Sequence, residues 1–377
     1  MVGVTGTKGK STTVELISTI LEEAGFKTAL LSSVRKKIGN NFEYNQTQNT
    51  MPGRFFIQKF LNQAKKEKCQ FAILEVTSQG VLQHRHKFID FNSAVFLNLH
   101  PEHIESHGSY EAYRAAKVSF FDYVAKKSKK TNKIFIINSE HHEAGHFRKS
   151  AEGGGEVLSF SRLEFIKEFS KNHEIIFPNW FNGDFNLENA AAAAKFAETQ
   201  GINKEIILKA LKNFKGVAGR MEFIQKEPFK VIVDYAHTPD SLRAVYSSLK
   251  KEYNHTNLIC VLGSSGGGRD KWKRPEFGKI ASDLCDEIIL TNEDPHDEIP
   301  ESILNEISSG IRRGKDYRKI IDRAEAIKTA ISLARPQDVI IITGKGSEHW
   351  LRLANGKKIP WSDKETAEKA ISEIKGR

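Results

Sequence analysis

The strand-like run Met1-Val2-Gly3-Val4 feeds directly into Thr5-Gly6-Thr7-Lys8-Gly9-Lys10-Ser11-Thr12-Thr13, and helix-like sequence follows from about Ser11. Glycines let backbone N–H groups turn inward onto phosphate oxygens, and a helix N-terminus adds positive potential there. In such a loop Lys10 meets the terminal phosphates and the Ser11 hydroxyl can ligate Mg²⁺. The strict G-x-x-x-x-G-K-[ST] spacing asks for glycine at position 4, where Val4 stands, so the loop is a variant. A glycine turn ahead of a helix, with no ligand, is the plainer alternative; the order strand, Gly-Lys-Ser, helix speaks for the phosphate loop. Gly6, Thr7, Lys8, Gly9, Lys10, Ser11 and Thr12 are therefore the expected ATP contacts.

A strand that ends in such a loop belongs to a parallel sheet, and the rest of the sequence keeps the same rhythm. Apolar runs at 28–32, 71–76, 93–97 and 133–137 alternate with helix-like stretches at 54–66 and 109–126, as βαβ units do. Residues 140–182 are irregular. The alanine run within Asn186–Lys195 marks a strong helix, and a second helix at 203–214 ends near Gly216 and Gly219. Strands at 229–233, 257–262, 286–290 and 338–342 then restart the alternation. The expectation is an α/β chain of two domains, residues 1–217 with a central phosphate-loop ATPase sheet, parallel-rich, and residues 218–377 with a Rossmann-like fold. A length of 377 residues suits two domains.

Lys and Arg number 57 against 47 Asp and Glu, a net charge of +10. The basic residues are scattered and lack the aromatic interleaving of single-strand nucleic-acid binding, so the excess points to small anionic substrates and no nucleic acid is expected. Cys69, Cys260 and Cys285 lie far apart with no C-x-x-C pair, which argues against a disulfide framework and against a thiolate zinc site. No apolar run approaches the ~18 residues of a membrane span, and the first residues lead into a glycine turn instead of a signal-peptide core. A reducing cytoplasmic location without membrane insertion is expected.

The run Phe71–Glu75 ends in a carboxylate, and Ala94–Leu97 leads to Asn98, His100, His103 and His107. Ligand crevices of α/β sheets lie at the carboxyl ends of strands, so Glu75 and one histidine can converge on a metal beside the phosphate loop. The three histidines could instead form a zinc site along a helix, but Pro101 directly after His100 interrupts one. His100 is the candidate for a histidine with no role.

Nine stretches in order now resemble the Mur ligase family, and within it the MurE-type branch: Val4–Thr13, Glu75-Val-Thr-Ser-Gln-Gly-Val-Leu-Gln-His-Arg85, Asn98–Gly108, Tyr113-Arg-Ala-Ala-Lys117, Gly183–Asn189, Gly219-Arg-Met-Glu222, Asp234–Pro239, Gly268–Pro275 and Gly344-Lys-Gly-Ser-Glu348. The resemblance implies an ATP- and Mg²⁺-dependent peptide-bond-forming ligase of peptidoglycan precursor synthesis; the alternatives are a related carboxylate-amine ligase of folylpolyglutamate, cyanophycin or pseudomurein type, or a non-catalytic nucleotide-binding partner subunit. Its substrates would be a UDP-MurNAc-peptide-like acceptor and an amino acid, joined through an acyl phosphate. It implies catalytic roles for Lys10, Glu75, His103 and Lys117, with Ser11, Glu75, His103 and a CO₂-carbamylated Lys117 around the metal. Asn186, Asn189, Arg220 and Asp234 correspond to nucleotide contacts, with helix capping and ion pairing as plainer roles. Thr50, Thr77, Gln83 and Arg85 correspond to acceptor contacts, and Arg269, Asp294, Pro295, His296, Gly344 and Glu348 to amino-acid contacts.

Departures from the family pattern are informative. Lys8 replaces its loop asparagine, Glu102 its aspartate before the metal histidine, and Gln79 a histidine. Its uracil-binding first domain has no counterpart in this sequence, which leaves two expectations open, a separate protein that supplies it or a sequence that is a piece of a longer chain. Diaminopimelate-adding members carry Asp-Asn-Pro-Arg, whose arginine pairs with the distal carboxylate. Here the stretch is Glu293-Asp294-Pro295-His296-Asp297-Glu298. A largely neutral histidine among acids favours a distal ammonium, hence lysine or a similar diamino acid.

Overall fold

The structure, a computed structural model, describes residues 1–47, 49–102, 107–170, 183–268 and 271–375. It divides into two compact units, Met1–Lys215 and Gly216–Arg377, two residues ahead of the boundary expected from the sequence.

The first unit is built on eight strands: β1 (Val2–Thr5), β2 (Thr28–Leu31), β3 (Arg35–Ile38), β4 (Asn41–Tyr44), β5 (Phe71–Val76), β6 (Ser93–Phe96), β7 (Ile134–Asn138) and β8 (Glu156–Phe160). Their order is β4-β3-β2-β5-β1-β6-β7-β8. Pairing is parallel throughout except for β2-β3-β4. All four residues of β1 are buried, the pattern of a parallel strand covered on both faces. The helix that follows the phosphate loop, α1 (Lys10–Glu23), packs on the helix Asp184–Thr199. Ala190–Ala194 are all buried in that second helix, and their small side chains allow the two backbones to approach closely. Beneath the sheet's other face Phe91, Phe96, Phe120, Phe121 and Phe147 form one core, with Phe96 and Phe147 stacked at 3.7 Å between ring centroids. Each such ring contributes roughly 1.5–3 kcal/mol of transfer free energy.

In the second unit the main sheet's strands are β9 (Glu222–Gln225), β10 (Lys230–Asp234), β11 (Leu258–Leu262), β12 (Glu287–Leu290), β13 (Arg318–Lys319) and β14 (Val339–Thr343). Their order is β13-β12-β11-β14-β10-β9, with only β9 antiparallel. The chain steps outward from β11 to β13 and then returns to place β14 on the opposite side of β11. That reversal opens a crevice at the carboxyl ends of β11 and β14. Val233, Val261, Ile289, Ile327, Ile340 and Ile342 belong to the core beneath it.

Three features depart from the sequence reading. The hairpin β3–β4 was not expected, because Arg-Lys-Lys-Ile and Asn-Phe-Glu-Tyr show no apolar run. It is held by the antiparallel ladder and by Arg35, whose guanidinium grips the buried Glu15 carboxylate through Nε and Nη2. Within the stretch read as irregular lie the helices Ala144–Ala151 and Arg162–Ser170 and strand β8. Lastly, Cys260 and Cys285 form a disulfide, with Cα atoms 6.1 Å apart, which corrects the argument from spacing against a disulfide framework. Cys260 lies in β11 and Cys285 just before β12, and β11 and β12 are parallel neighbours. A separation of 25 residues in sequence hides that adjacency. No helix among the described residues is long and apolar enough to cross a membrane.

Candidate active site

Gly9 caps α1 at φ 80°, and a Cβ there would stand 2.0 Å from Asn189 Oδ1, so only glycine lets the loop turn this close to the helix behind it. Asn98, at the carboxyl end of β6, reads the loop backbone: its Oδ1 accepts from Thr7 N (3.2 Å) and Lys8 N (2.8 Å). Thr7 Oγ1 accepts from His100 N at 2.9 Å and lies 3.0 Å from the Tyr113 hydroxyl. His100, read as lacking a role, therefore braces the loop through its backbone.

Four side chains converge on this loop. Lys10 Nζ donates to Gly6 O (3.0 Å) and Thr7 O (2.8 Å), within the loop's own concavity. Lys117 Nζ, buried, donates to the same Gly6 carbonyl at 2.8 Å and lies over the Tyr113 ring. Burial holds its ammonium well below the usual lysine range, and the neighbouring Lys10 adds to the effect. Ser11 Oγ donates to Glu75 Oε2 at 3.0 Å, and the same oxygen accepts from Ser33 N at 2.8 Å. Glu75 faces Val4 across the β1–β5 ladder, and this register carries its carboxylate to the loop. A hydroxyl and a carboxylate this close are hard oxygen donors suited to Mg²⁺, which keeps waters and shares phosphate oxygens instead of needing a full protein cage. Lys8 Nζ pairs with Glu102 at 3.0 Å, so the two substitutions noted in the sequence answer one another. Thr12 is buried in the first turn of α1, and Thr13 Oγ1 donates to Asn189 Oδ1 at 3.3 Å while Asn189 reaches Asn186. His103 lies outside the described residues. His107 instead meets Ser78, 3.2 Å from its hydroxyl.

The expected acceptor contacts gather around the short helix Ser78–Leu82. Thr77 caps it, with Oγ1 accepting from Gly80 N at 3.1 Å. Arg85 donates to the Met51 carbonyl next to Thr50, while Gln83 is exposed at the helix end.

In the second unit Asp234 ends β10 with its carboxylate accepting from Met221 N (2.8 Å) and Ala236 N (2.7 Å). Burial pushes its carboxyl up, against the pull of Arg220. Arg220 itself lies over the Tyr235 ring at 4.2 Å. At the crevice, Lys345 Nζ bridges Asp294 Oδ1 (2.8 Å) and Glu348 Oε2 (2.5 Å). Burial opposes that charge, yet Glu348 and Asp294 outweigh it and hold Lys345 above its ordinary range. Gly344 sits at φ 109°, where a Cβ would stand 2.3 Å from Glu293 Oε2. Pro295 and His296 turn the wall, with His296 at φ 51°; Arg269 lies outside the described residues.

Sequence reasoning passed over three residues of these sites. Ser264 Oγ and Glu293 Oε2 are buried without a hydrogen-bond partner, and the other Glu293 oxygen accepts from Ser265 Oγ at 2.7 Å. A buried carboxylate oxygen with nothing to accept from is costly unless a ligand supplies the donor. Glu293 was visible as one acid in an acidic run, but no local pattern separates it from its neighbours. Ser33, which orients Glu75 through a backbone amide, carries no sequence signal at all.

The description "Mur ligase middle domain" matches residues 4–197 and "Mur ligase, glutamate ligase domain" residues 219–346. A UDP-N-acetylmuramoyl-L-alanyl-D-glutamate–2,6-diaminopimelate ligase of Syntrophomonas wolfei is 36% identical over 383 residues, 97% of this chain and 77% of its own. A UDP-N-acetylmuramyl-tripeptide synthetase of Roseiflexus sp. is 34% identical over 403 residues, 99% of this chain and 79% of its own. Among solved structures, a UDP-N-acetylmuramoyl-L-alanyl-D-glutamate–2,6-diaminopimelate ligase aligns at TM-score 0.63 and 29% identity, covering 99% of this chain and 78% of that one. The bifunctional folylpolyglutamate synthase/dihydrofolate synthase of Yersinia pestis, at TM-score 0.69 and 18% identity, covers 99% of this chain and 88% of that one, and shares the fold.

Proposed function

The chain belongs to the Mur ligase family of ATP-dependent amide-bond-forming ligases, and from that premise we propose that it joins a diamino acid to a UDP-MurNAc-dipeptide-like acceptor, with lysine preferred over diaminopimelate. The observation that carries the chemistry is the convergence of Lys10, Lys117, Ser11 and Glu75 on the Gly6–Gly9 loop. An acceptor carboxylate oxygen attacks the γ-phosphorus of ATP and ADP departs, leaving an acyl phosphate. The amine of the incoming amino acid then attacks the acyl carbon, the C–N bond forms, a proton is lost and phosphate departs.

Both steps ask for positioning and charge neutralisation more than for a nucleophilic side chain. Lys10 supplies positive charge to the phosphates, and the N-terminus of α1, which starts at Lys10 behind Gly9, adds positive potential beside them. Ser11 and Glu75, with His103 as the third candidate, would hold Mg²⁺, which would supply further neutralisation of phosphate charge. Burial beside other cations favours the neutral amine of Lys117, the form that reacts with CO₂ to give a carbamate and a released proton. Asn186, Asn189, Arg220 and Asp234 are assigned to the nucleotide, and Thr50, Thr77, Gln83 and Arg85 to the acceptor.

The lysine preference rests on the second unit. Asp294 is matched by Lys345 and Arg352, and Glu298 by Arg274 and Lys271. Glu293 keeps one buried oxygen without a partner. An ammonium group suits that oxygen and a second carboxylate does not. The test incubates the protein with ATP, Mg²⁺, UDP-MurNAc-dipeptide and single amino acids, and measures ADP and product mass. ADP release that requires both acceptor and a diamino acid is expected; release indifferent to either substrate would overturn the reading.

A further inference from the structure

Resting on that reading, we propose that the pair of buried Arg274 and half-buried Glu298 is a positioning device that holds the glycine-rich loop Ser264–Gly268 against the wall Glu293–His296 and thereby sets affinity for the incoming amino acid. The Arg274 side chain has no exposed surface. Its Nη1 donates to Glu298 Oε2 (2.9 Å) and Glu306 Oε2 (2.8 Å), and its Nη2 to Glu298 Oε1 (3.2 Å) and the Ser265 carbonyl (3.2 Å). The same Glu298 Oε1 accepts from Gly268 N at 3.0 Å, and Lys271 pairs with Oε2 at 3.1 Å. One carboxylate thus grips the loop at 268 and also holds Lys271, while the guanidinium paired with it grips the loop at 265.

The loop's opposite side meets the wall. Gly266 N donates to the Asp294 carbonyl at 2.7 Å and Ser265 Oγ to Glu293 Oε1 at 2.7 Å. Ser265 is therefore strung between Arg274, through its carbonyl, and Glu293, through its hydroxyl. Any drift of the loop carries the Glu293 carboxylate with it and alters the space that Ser264 and Glu293 line beside Gly344. The hydrogen bond from Arg274 holds the Glu298 carboxyl down to about 2, so the pair stays ionised across the working pH range. Arg274 has no exposed surface with which to touch a substrate, and the bonds of both residues run to the loop.

The test is steady-state kinetics with each substrate varied in turn. Glu298→Gln keeps an acceptor for Gly268 N but breaks the charged fork, and misplaced binding groups commonly cost factors of ten or more. We expect KM for the amino acid to rise about tenfold or more, with KM for ATP and for the acceptor unchanged and kcat at saturation retained. Arg274→Lys restores one charge contact without the fork and should fall between the two. An unchanged amino-acid KM, or a fall in kcat matched by equal losses for all three substrates, would overturn the proposal. Should Glu298→Gln fail to fold, Arg274→Lys and Lys271→Gln provide the same reading on a smaller scale, and an unaltered amino-acid KM in both would count against it. A wild-type protein that releases ADP with no amino acid at all would instead sink the ligase reading itself.

Discussion

Lys10→Met removes the loop's ammonium while keeping a side chain of similar length. In the structure that ammonium lies within hydrogen-bonding distance of two loop carbonyls, so bound phosphate oxygens in the same concavity fall at roughly 4 Å from it. At an effective dielectric of about 20, a unit pair at that distance is worth ~4 kcal/mol. Lost from the transition state, this corresponds to about a thousandfold in kcat/KM for ATP. Stability responds far less, because the Gly6 carbonyl keeps its bond from Lys117 and Lys10 is only half-buried. A net loss of about 1 kcal/mol or less is expected from one hydrogen-bonded group, a shift of a few degrees in the melting curve at most. Coupled-enzyme ADP release and a thermal melt, run on the same preparation, separate the two effects. A Lys10→Met protein that releases ADP at the wild-type rate would refute the assignment of this loop to the phosphates, whatever its melting temperature.

Lys117→Ala should lose activity and regain part of it with added short carboxylic acids, which replace the carbamate anion; no rescue, together with an unmodified Lys117 in a metal-bound crystal, would count against carbamylation. His86 is buried, edge-on to Tyr123 at 4.6 Å, and burial holds its imidazole down to about 4. The unfolded chain takes up that proton near 6.5 and the folded protein does not, so stability falls as pH drops from about 6.5 to 4, by ~3 kcal/mol for this group; His86→Phe should flatten that part of the pH–melting profile, and an unchanged slope would disprove the attribution. L-lysine and meso-diaminopimelate supplied at equal concentration should yield mainly the lysine product, with Glu293→Gln eroding the preference; predominant diaminopimelate incorporation by the wild type would show that His296 or another group reads the distal carboxylate.

The phosphate loop was legible because its information is local. Val2–Ser11 contains the strand, the turn and the helix start within ten residues, and the structure builds them in that order. Glu75 was legible for a related reason: a carboxylate near the end of an apolar run in an α/β chain lies at the ligand edge of the sheet. Tertiary adjacency was the part that stayed hidden. Ser33 reaches Glu75 only because β2 pairs beside β5, and Cys260 reaches Cys285 only because β11 and β12 are neighbours.

Charge at the amino-acid crevice shows the same limit more sharply. Read along the chain, Glu293, Asp294, Asp297 and Glu298 form an acidic run that should attract any cation. In the fold, Lys345 and Arg352 arrive from beyond β14 and Arg274 from the helix after β11, and they pair with two of the four, while buried Arg323, paired with Asp363, also acts electrostatically on Glu293. Asp297 turns to the Asn355 backbone amide. The attraction therefore narrows from a run of acids to one buried oxygen of Glu293. A single desolvated carboxylate discriminates between an ammonium and a second carboxylate far better than a solvated acidic patch can, because water screens the patch and is excluded from the buried oxygen. The preference for a distal amine is thus argued from one atom and its surroundings, and substituting Glu293 tests it more directly than altering His296.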